Sequence, residues 1–328
     1  MRLFVLFYFV GIVSLLWSCG DDNVDPNAGN SEDSTIVSYL DSMGIDYQLD
    51  DAGIYYYPIK LNPTGKSQLE GNVLSIYYQL DVLGGQNLIT VDSRDGDPIR
   101  LKQGTKAIYP FGIDSALNYM KEGEEWEFLI PSRLGFVNYS SVLIPENAIL
   151  IFKANLKRIQ NENDIQFEDI QKLLQYSDSV KLTDTVANPL NQPILLNNGM
   201  IYKRLIAGDP TGLKPSLGNE LTITYTASLP YQESNPIDLQ HASNANPFIY
   251  SYNDNVVIAG LDAGVAQMTT NETALLVIPS LLAYRESAMV LPDYLTQEMV
   301  DMKIIPAYAA KVRPYEVLIF EVTLLEIN

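Results

Sequence analysis

Apolar and polar residues alternate from Val73 to Val82, and the run stops at Leu83-Gly84-Gly85-Gln86. A period of two predicts a strand with one buried face, and the glycine pair predicts a hairpin that returns along Leu88–Val91. Glu125–Ile130 and Ala148–Ile159 read as further strands. Helical spacing puts Ile36, Val37, Leu40 and Met43 on one face of a helix that Asp33 or Ser34 can cap. Phe111–Met120 has the same spacing. So does a second amphipathic helix over about Asp164–Tyr176, which carries Ile165, Ile170, Leu173 and Leu174. Beyond it the pattern predicts strands at Leu221–Leu229, Thr273–Ile278 and Val317–Ile327 and a short helix at Leu261–Met268. Asn188–Asn198, rich in Asn and Pro, reads as a loop.

These elements occur twice because the sequence does. Gly53-Ile54-Tyr55-Tyr56 is echoed by Gly199-Met200-Ile201-Tyr202, and Pro63-Thr64-Gly65 by Pro210-Thr211-Gly212. Gly71-Asn72 recurs as Gly218-Asn219, and Ile130-Pro131-Ser132 as Ile278-Pro279-Ser280, at offsets of 146 to 148 residues throughout. A nearly constant offset means two copies of one α+β domain, each a mostly antiparallel sheet with one short central helix. Differences between the copies then act as substitutions in a single fold.

Length agrees, since 328 residues suit two domains. Against 40 acidic side chains stand 21 Lys and Arg, a net charge of −19, which disfavours nucleic acid as a partner. His241 is the only histidine and Cys19 the only cysteine. Ser-His and Cys-His catalysis, most transition-metal sites and internal disulfides are thereby excluded, and no cofactor or metal is expected. Asp92-Ser93-Arg94-Asp95-Gly96-Asp97 lacks the twelfth-position glutamate of a calcium loop and reads as a tight turn. Gly208–Gly212 reads as a turn too, without the lysine of a phosphate loop.

After Arg2, the apolar run from Leu3 to Trp17 is short for a membrane span and right for a signal-peptide core. It ends in Leu16-Trp17-Ser18-Cys19, which resembles a bacterial lipobox whose cysteine receives lipid. The expected layout is a lipoprotein signal peptide over 1–18, an acidic flexible tether over 19–34, and domains over 35–160 and 161–328. The expected location is the bacterial cell envelope, with the membrane reached through lipid on Cys19.

The second copy resembles FKBP-type peptidyl-prolyl cis-trans isomerases. The residues that carry the resemblance are Val257-Ile258-Ala259-Gly260-Leu261 through Gln267-Met268, Ile278-Pro279-Ser280 through Ala283-Tyr284, and Leu318-Ile319-Phe320-Glu321-Val322, preceded by Tyr225 and Pro247-Phe248. It covers about Leu221–Ile327, and a looser resemblance covers Val73–Ile159. It implies a twisted antiparallel sheet wrapped around a short helix, with an apolar pocket between them that takes proline-containing polypeptides. By the same resemblance the pocket is built of Tyr225, Phe248, Val257, Ile258, Leu261, Tyr284 and Phe320. Leu261 is its floor, the Ile258 N–H and the Tyr284 hydroxyl are its donors, and Asp238 is its acidic rim.

The first copy departs from this pattern at Pro110, Phe136, Ile113, Tyr109 and Ile99, which stand where the second has Ile258, Tyr284, Leu261, Val257 and Phe248. Two donors are gone, because proline has no N–H and phenylalanine no hydroxyl. The expected activity therefore lies in the second copy. That copy carries about 25 extra residues after Tyr284, including Met289, Val290, Leu291, Tyr294, Leu295 and Met299. Either they grip a substrate chain or they cover the pocket, and either Ile304-Ile305-Pro306 or Val312-Arg313-Pro314 takes the family's Ile-Pro place. The alternatives to an isomerase are a non-catalytic lipoprotein of this fold that holds extended segments of an envelope partner, and a glycan-binding lipoprotein, which two tryptophans disfavour.

Overall fold

The computed structural model describes residues 28–179, 192–230, 237–306 and 312–328. The signal peptide, Cys19 and most of the tether lie outside these residues. The first copy runs α1 (Ala28–Met43), β1 (Gln48–Leu49), β2 (Tyr55–Lys60), β3 (Val73–Val82), β4 (Asn87–Val91), β5 (Ile99–Lys102), β6 (Ile108–Tyr109), α2 (Gly112–Leu117), β7 (Glu125–Ile130) and β8 (Leu150–Gln160). The second runs α3 (Glu162–Ser179), β9 (Ile194–Leu195), β10 (Ile201–Ile206), β11 (Glu220–Ser228), β12 (Ile237–Ala242), β13 (Phe248–Ser251), α4 (Ala259–Val265), β14 (Thr273–Ile278), β15 (Met289–Val290), α5 (Thr296–Asp301) and β16 (Leu318–Ile327).

The two main sheets have one topology. The first is ordered β1-β2-β7-β8-β3-β4 with β5 on β3; the second is ordered β9-β10-β14-β16-β11-β12 with β13 on β11. Every pairing within them is antiparallel. The fold is thus α+β, with two twisted sheets that each wrap a short helix. The helix comes very close to the Ile-Pro-Ser turn. A Cβ on Gly112 would meet the Leu134 carbonyl at 2.7 Å, and one on Gly260 would meet Ile278 Cγ2 at 2.2 Å, so both helices need glycine there.

Several elements differ from the sequence pattern. Helix α1 starts at Ala28, inside the expected tether, because Glu32 and Asp33 are tied to the domain. Ser132 donates its N–H to Glu32 at 2.8 Å, and the Tyr55 hydroxyl donates to Asp33 at 3.2 Å. The helix expected over Phe111–Met120 closes after Leu117, where the chain turns into β7. Part of the expected loop, Ile194–Leu195, pairs as an edge strand with β10. His241 lies in β12, and its side chain is outside the described residues. The two Asp- and Gly-rich segments do form turns, closed by Asp92 N–H to Asp95 at 2.7 Å and Gly212 N–H to Asp209 O at 3.0 Å.

Helix α3 joins the copies. Its Asp169 is fully buried and accepts the Ser280 N–H at 2.9 Å, as Glu32 accepts the Ser132 N–H in the first copy. Asp169 also takes Arg100 of β5 at 3.0 Å, and Glu168 takes the other arm of Arg100 at 2.8 Å. Glu162 binds Lys102 of the first copy at 3.1 Å and Arg285 of the second at 2.8 Å. Val73, Ile165 and Tyr315 pack together across the junction.

Glu316 lies in a crevice between the copies, faced by Arg313, Lys172, Arg100 and Asp169. Burial pushes its carboxyl above the ordinary 4.5, and the nearby Arg313 charge opposes this. A raised folded-state value favours the protonated form in the native protein. The resulting stability is complete below the ordinary value and is lost as pH rises through the folded one. Glu316→Gln should therefore raise the urea midpoint at neutral pH and leave it unchanged at about pH 4. A midpoint lowered at neutral pH would contradict this reading.

Candidate active site

In the second copy, adjacent strands bring three aromatic rings to one face. Tyr225 on β11 lies opposite Val322 of β16, so Phe320, two residues earlier on that strand, is its diagonal neighbour. Their ring centroids are 5.5 Å apart. Phe248 opposes Ile223 of β11 and meets Tyr225 edge-on at 6.2 Å. Leu261, on the first turn of α4, is buried in the same cluster, and Val257, Ile258 and Tyr284 are partly buried against it. The backbone turns into α4 at Ile258, whose carbonyl accepts the N–H groups of Leu261 and Asp262. Among the described residues, no acceptor takes the Ile258 N–H.

Seven of the eight residues expected at the pocket thus share one cluster. Asp238 lies on β12, beside β11 (Tyr225 pairs with Ala242), and its side chain is outside the described residues. Tyr250 was missed. It alternates with Phe248 on β13 and stacks on it at 5.6 Å. Burial pushes its phenol well up, helped by the Asp262 carboxylate beside it, and burial also raises Asp262. The period-two pattern Phe248-Ile249-Tyr250 was the available signal. Val312, not Ile305, packs into this cluster, so Val312-Arg313-Pro314 takes the Ile-Pro place.

The first copy repeats the geometry with Tyr78 and Phe152 at 6.2 Å, yet its pocket is closed. Ile99, Tyr109 and Pro110 are buried, and Phe136 is only 1% exposed, where their counterparts Phe248, Val257, Ile258 and Tyr284 in the second copy all keep exposed surface. The cover is the insertion from the second copy. Strand β15 pairs in parallel with β6, with Met289 N–H on Ala107 O at 2.7 Å and Leu291 N–H on Tyr109 O at 2.8 Å. Met289, Val290, Leu291, Leu295, Met299 and Ile305 are buried in the first copy's core. The sequence left open whether the insertion grips a substrate chain or covers its own domain's pocket; its buried described residues pack into the first copy instead. Its apolar residues complete the other domain.

A family model described as FKBP-type peptidyl-prolyl cis-trans isomerase matches residues 65–157 and 212–325, more than half of the chain. The chain belongs to that family, with two tandem domains. Among solved structures, the three FKBP domains of wheat FKBP73 are 18% identical, with 85% of this chain and 96% of that one covered and a TM-score of 0.33. A peptidyl-prolyl cis-trans isomerase from Pseudomonas syringae is 21% identical over 50% of this chain and 96% of its own, at a TM-score of 0.33. FkpA from Escherichia coli is 16% identical over 40% and 61%, at 0.34. A search of curated proteins by sequence gives no match.

Proposed function

We propose that this chain isomerises X-Pro bonds of polypeptides in the pocket of its second domain and assists protein folding in a bacterial cell envelope. The observation that supports this reading is the contrast between the copies: Phe248, Val257, Ile258 and Tyr284 of the second aromatic cluster stay partly exposed, while their counterparts in the first are buried under the insertion. Rotation about a peptide bond faces a barrier of about 18–20 kcal/mol because the C–N bond is partly double. The twisted amide is less dipolar than the planar one. Tyr225, Phe248, Leu261 and Phe320 would replace water around the imide and so destabilise the planar state relative to the twisted one, while holding the proline ring. The Ile258 N–H and the Tyr284 hydroxyl would fix the substrate backbone without a nucleophile or a metal. Losing a hydrogen bond to a buried partner costs about 1–3 kcal/mol, so the two donors missing from the first domain correspond to on the order of 100-fold or more in activity. The rate of X-Pro isomerisation by the full chain tests the proposal.

Lipid on Cys19 would hold both domains at the membrane, probed by fractionation. Cys19→Ala should move the protein to the soluble fraction, and membrane retention of the variant would exclude the anchor. A second reading, binding without catalysis, is favoured by the first domain, which keeps the fold but lacks both donors.

A further inference from the structure

We propose that the first domain's pocket is a binding site for a segment of its own chain. Met289-Val290-Leu291-Pro292 is its resident ligand, and the domain works as an internal dock that fixes the second domain, not as a second site for outside polypeptides. This stands whether or not the second domain isomerises anything.

The segment enters as an added strand along β6, which leads straight into the pocket-floor helix α2. The direction of its hydrogen bonds matches what the first domain has lost. Pro110 cannot donate to a ligand, but the carbonyls of Ala107 and Tyr109 can accept, and they receive the N–H groups of Met289 and Leu291. Leu291 and Pro292 are buried, and the neighbouring chain is pinned by the Tyr139 hydroxyl, which donates to Glu298 at 2.7 Å. Among the described residues no strand pairs with the second domain at the corresponding place, and Val256, the counterpart of Ile108, is 64% exposed. The other contacts between the domains act in the same sense. Asp169 joins Arg100 of the first domain to Ser280 of the second, and Glu162 joins Lys102 to Arg285. A dock closed by this many buried side chains is a part of the core and opens only when the core does.

Native-state hydrogen exchange on the full chain tests this without any substitution. The amides of Met289 and Leu291 should exchange as slowly as those of Tyr78 and Phe152 in the first domain's sheet. Exchange 100-fold faster than those amides would make the segment a removable lid and overturn the proposal. As an independent check, Trp126 reports unfolding of the first domain, being the one tryptophan after residue 17. Leu291→Ala and Met299→Ala, both in the second domain's insertion, should lower the midpoint of the Trp126 transition. An unmoved midpoint would also overturn the proposal.

Discussion

Asp169→Ala destabilises the full chain by about 3 kcal/mol, near the lower end of what removing one partner of a buried ion pair costs. The carboxylate is fully buried and holds three groups: the Ser280 N–H, the Ser280 hydroxyl and one arm of Arg100. Alanine leaves an unsatisfied N–H at a turn that abuts the pocket helix, and Ser280 and Arg100 belong to different domains. Glu168 still binds the other arm of Arg100, which keeps the loss from being larger. The repeat supplies an internal control. Glu32 accepts from Ser132 in the same way but is only partly buried, and no arginine bonds it among the described residues. Glu32→Ala should cost less, about 1–2 kcal/mol. Urea unfolding followed by Trp126 emission and far-UV circular dichroism measures both. A Glu32 variant as unstable as the Asp169 variant would show that bridging the domains adds nothing.

Phe248→Ala lowers kcat/KM for X-Pro isomerisation by the full chain about 10- to 100-fold. The ring packs edge-on to Tyr225 and stacks on Tyr250, and it stays partly exposed at the aromatic cluster. Aromatic pairs contribute about 0.5–1.5 kcal/mol each beyond their burial, and each 1.4 kcal/mol lost from the transition state is a factor of ten in rate. Phe248 keeps some exposed surface, so the variant folds, and an unchanged far-UV spectrum confirms that. The loss should fall on kcat as well as on KM, because in the proposed mechanism Phe248 would act on the twisting imide as well as on the planar one.

Much of this architecture could be read from the chain because its strands carry apolar residues in short runs bounded by turns. Val73–Val82, Glu125–Ile130 and Thr273–Ile278 are strands to the residue, the first from its alternation and the last from a short apolar run that is buried at five of six positions. Tyr55–Lys60 gives no such signal: three successive tyrosines precede Pro58, which sits opposite Trp126 beside a bulge. The pocket aromatics were legible because two copies and a family pattern fix their order. Asp169 was not, since a carboxylate on an amphipathic helix looks the same in sequence whether it meets water or a buried serine. The insertion showed the same limit. Its apolar content demands burial, but periodicity does not say in which of two similar cores.

The most direct measurement is the rate of cis-to-trans conversion of an X-Pro peptide in a protease-coupled assay, with the full chain and with its Phe248→Ala variant. Acceleration by the unmodified chain that falls at least tenfold in the variant is the predicted result. No acceleration by the unmodified chain, or the same acceleration by both proteins, would contradict the assignment of isomerase activity to the second domain's pocket.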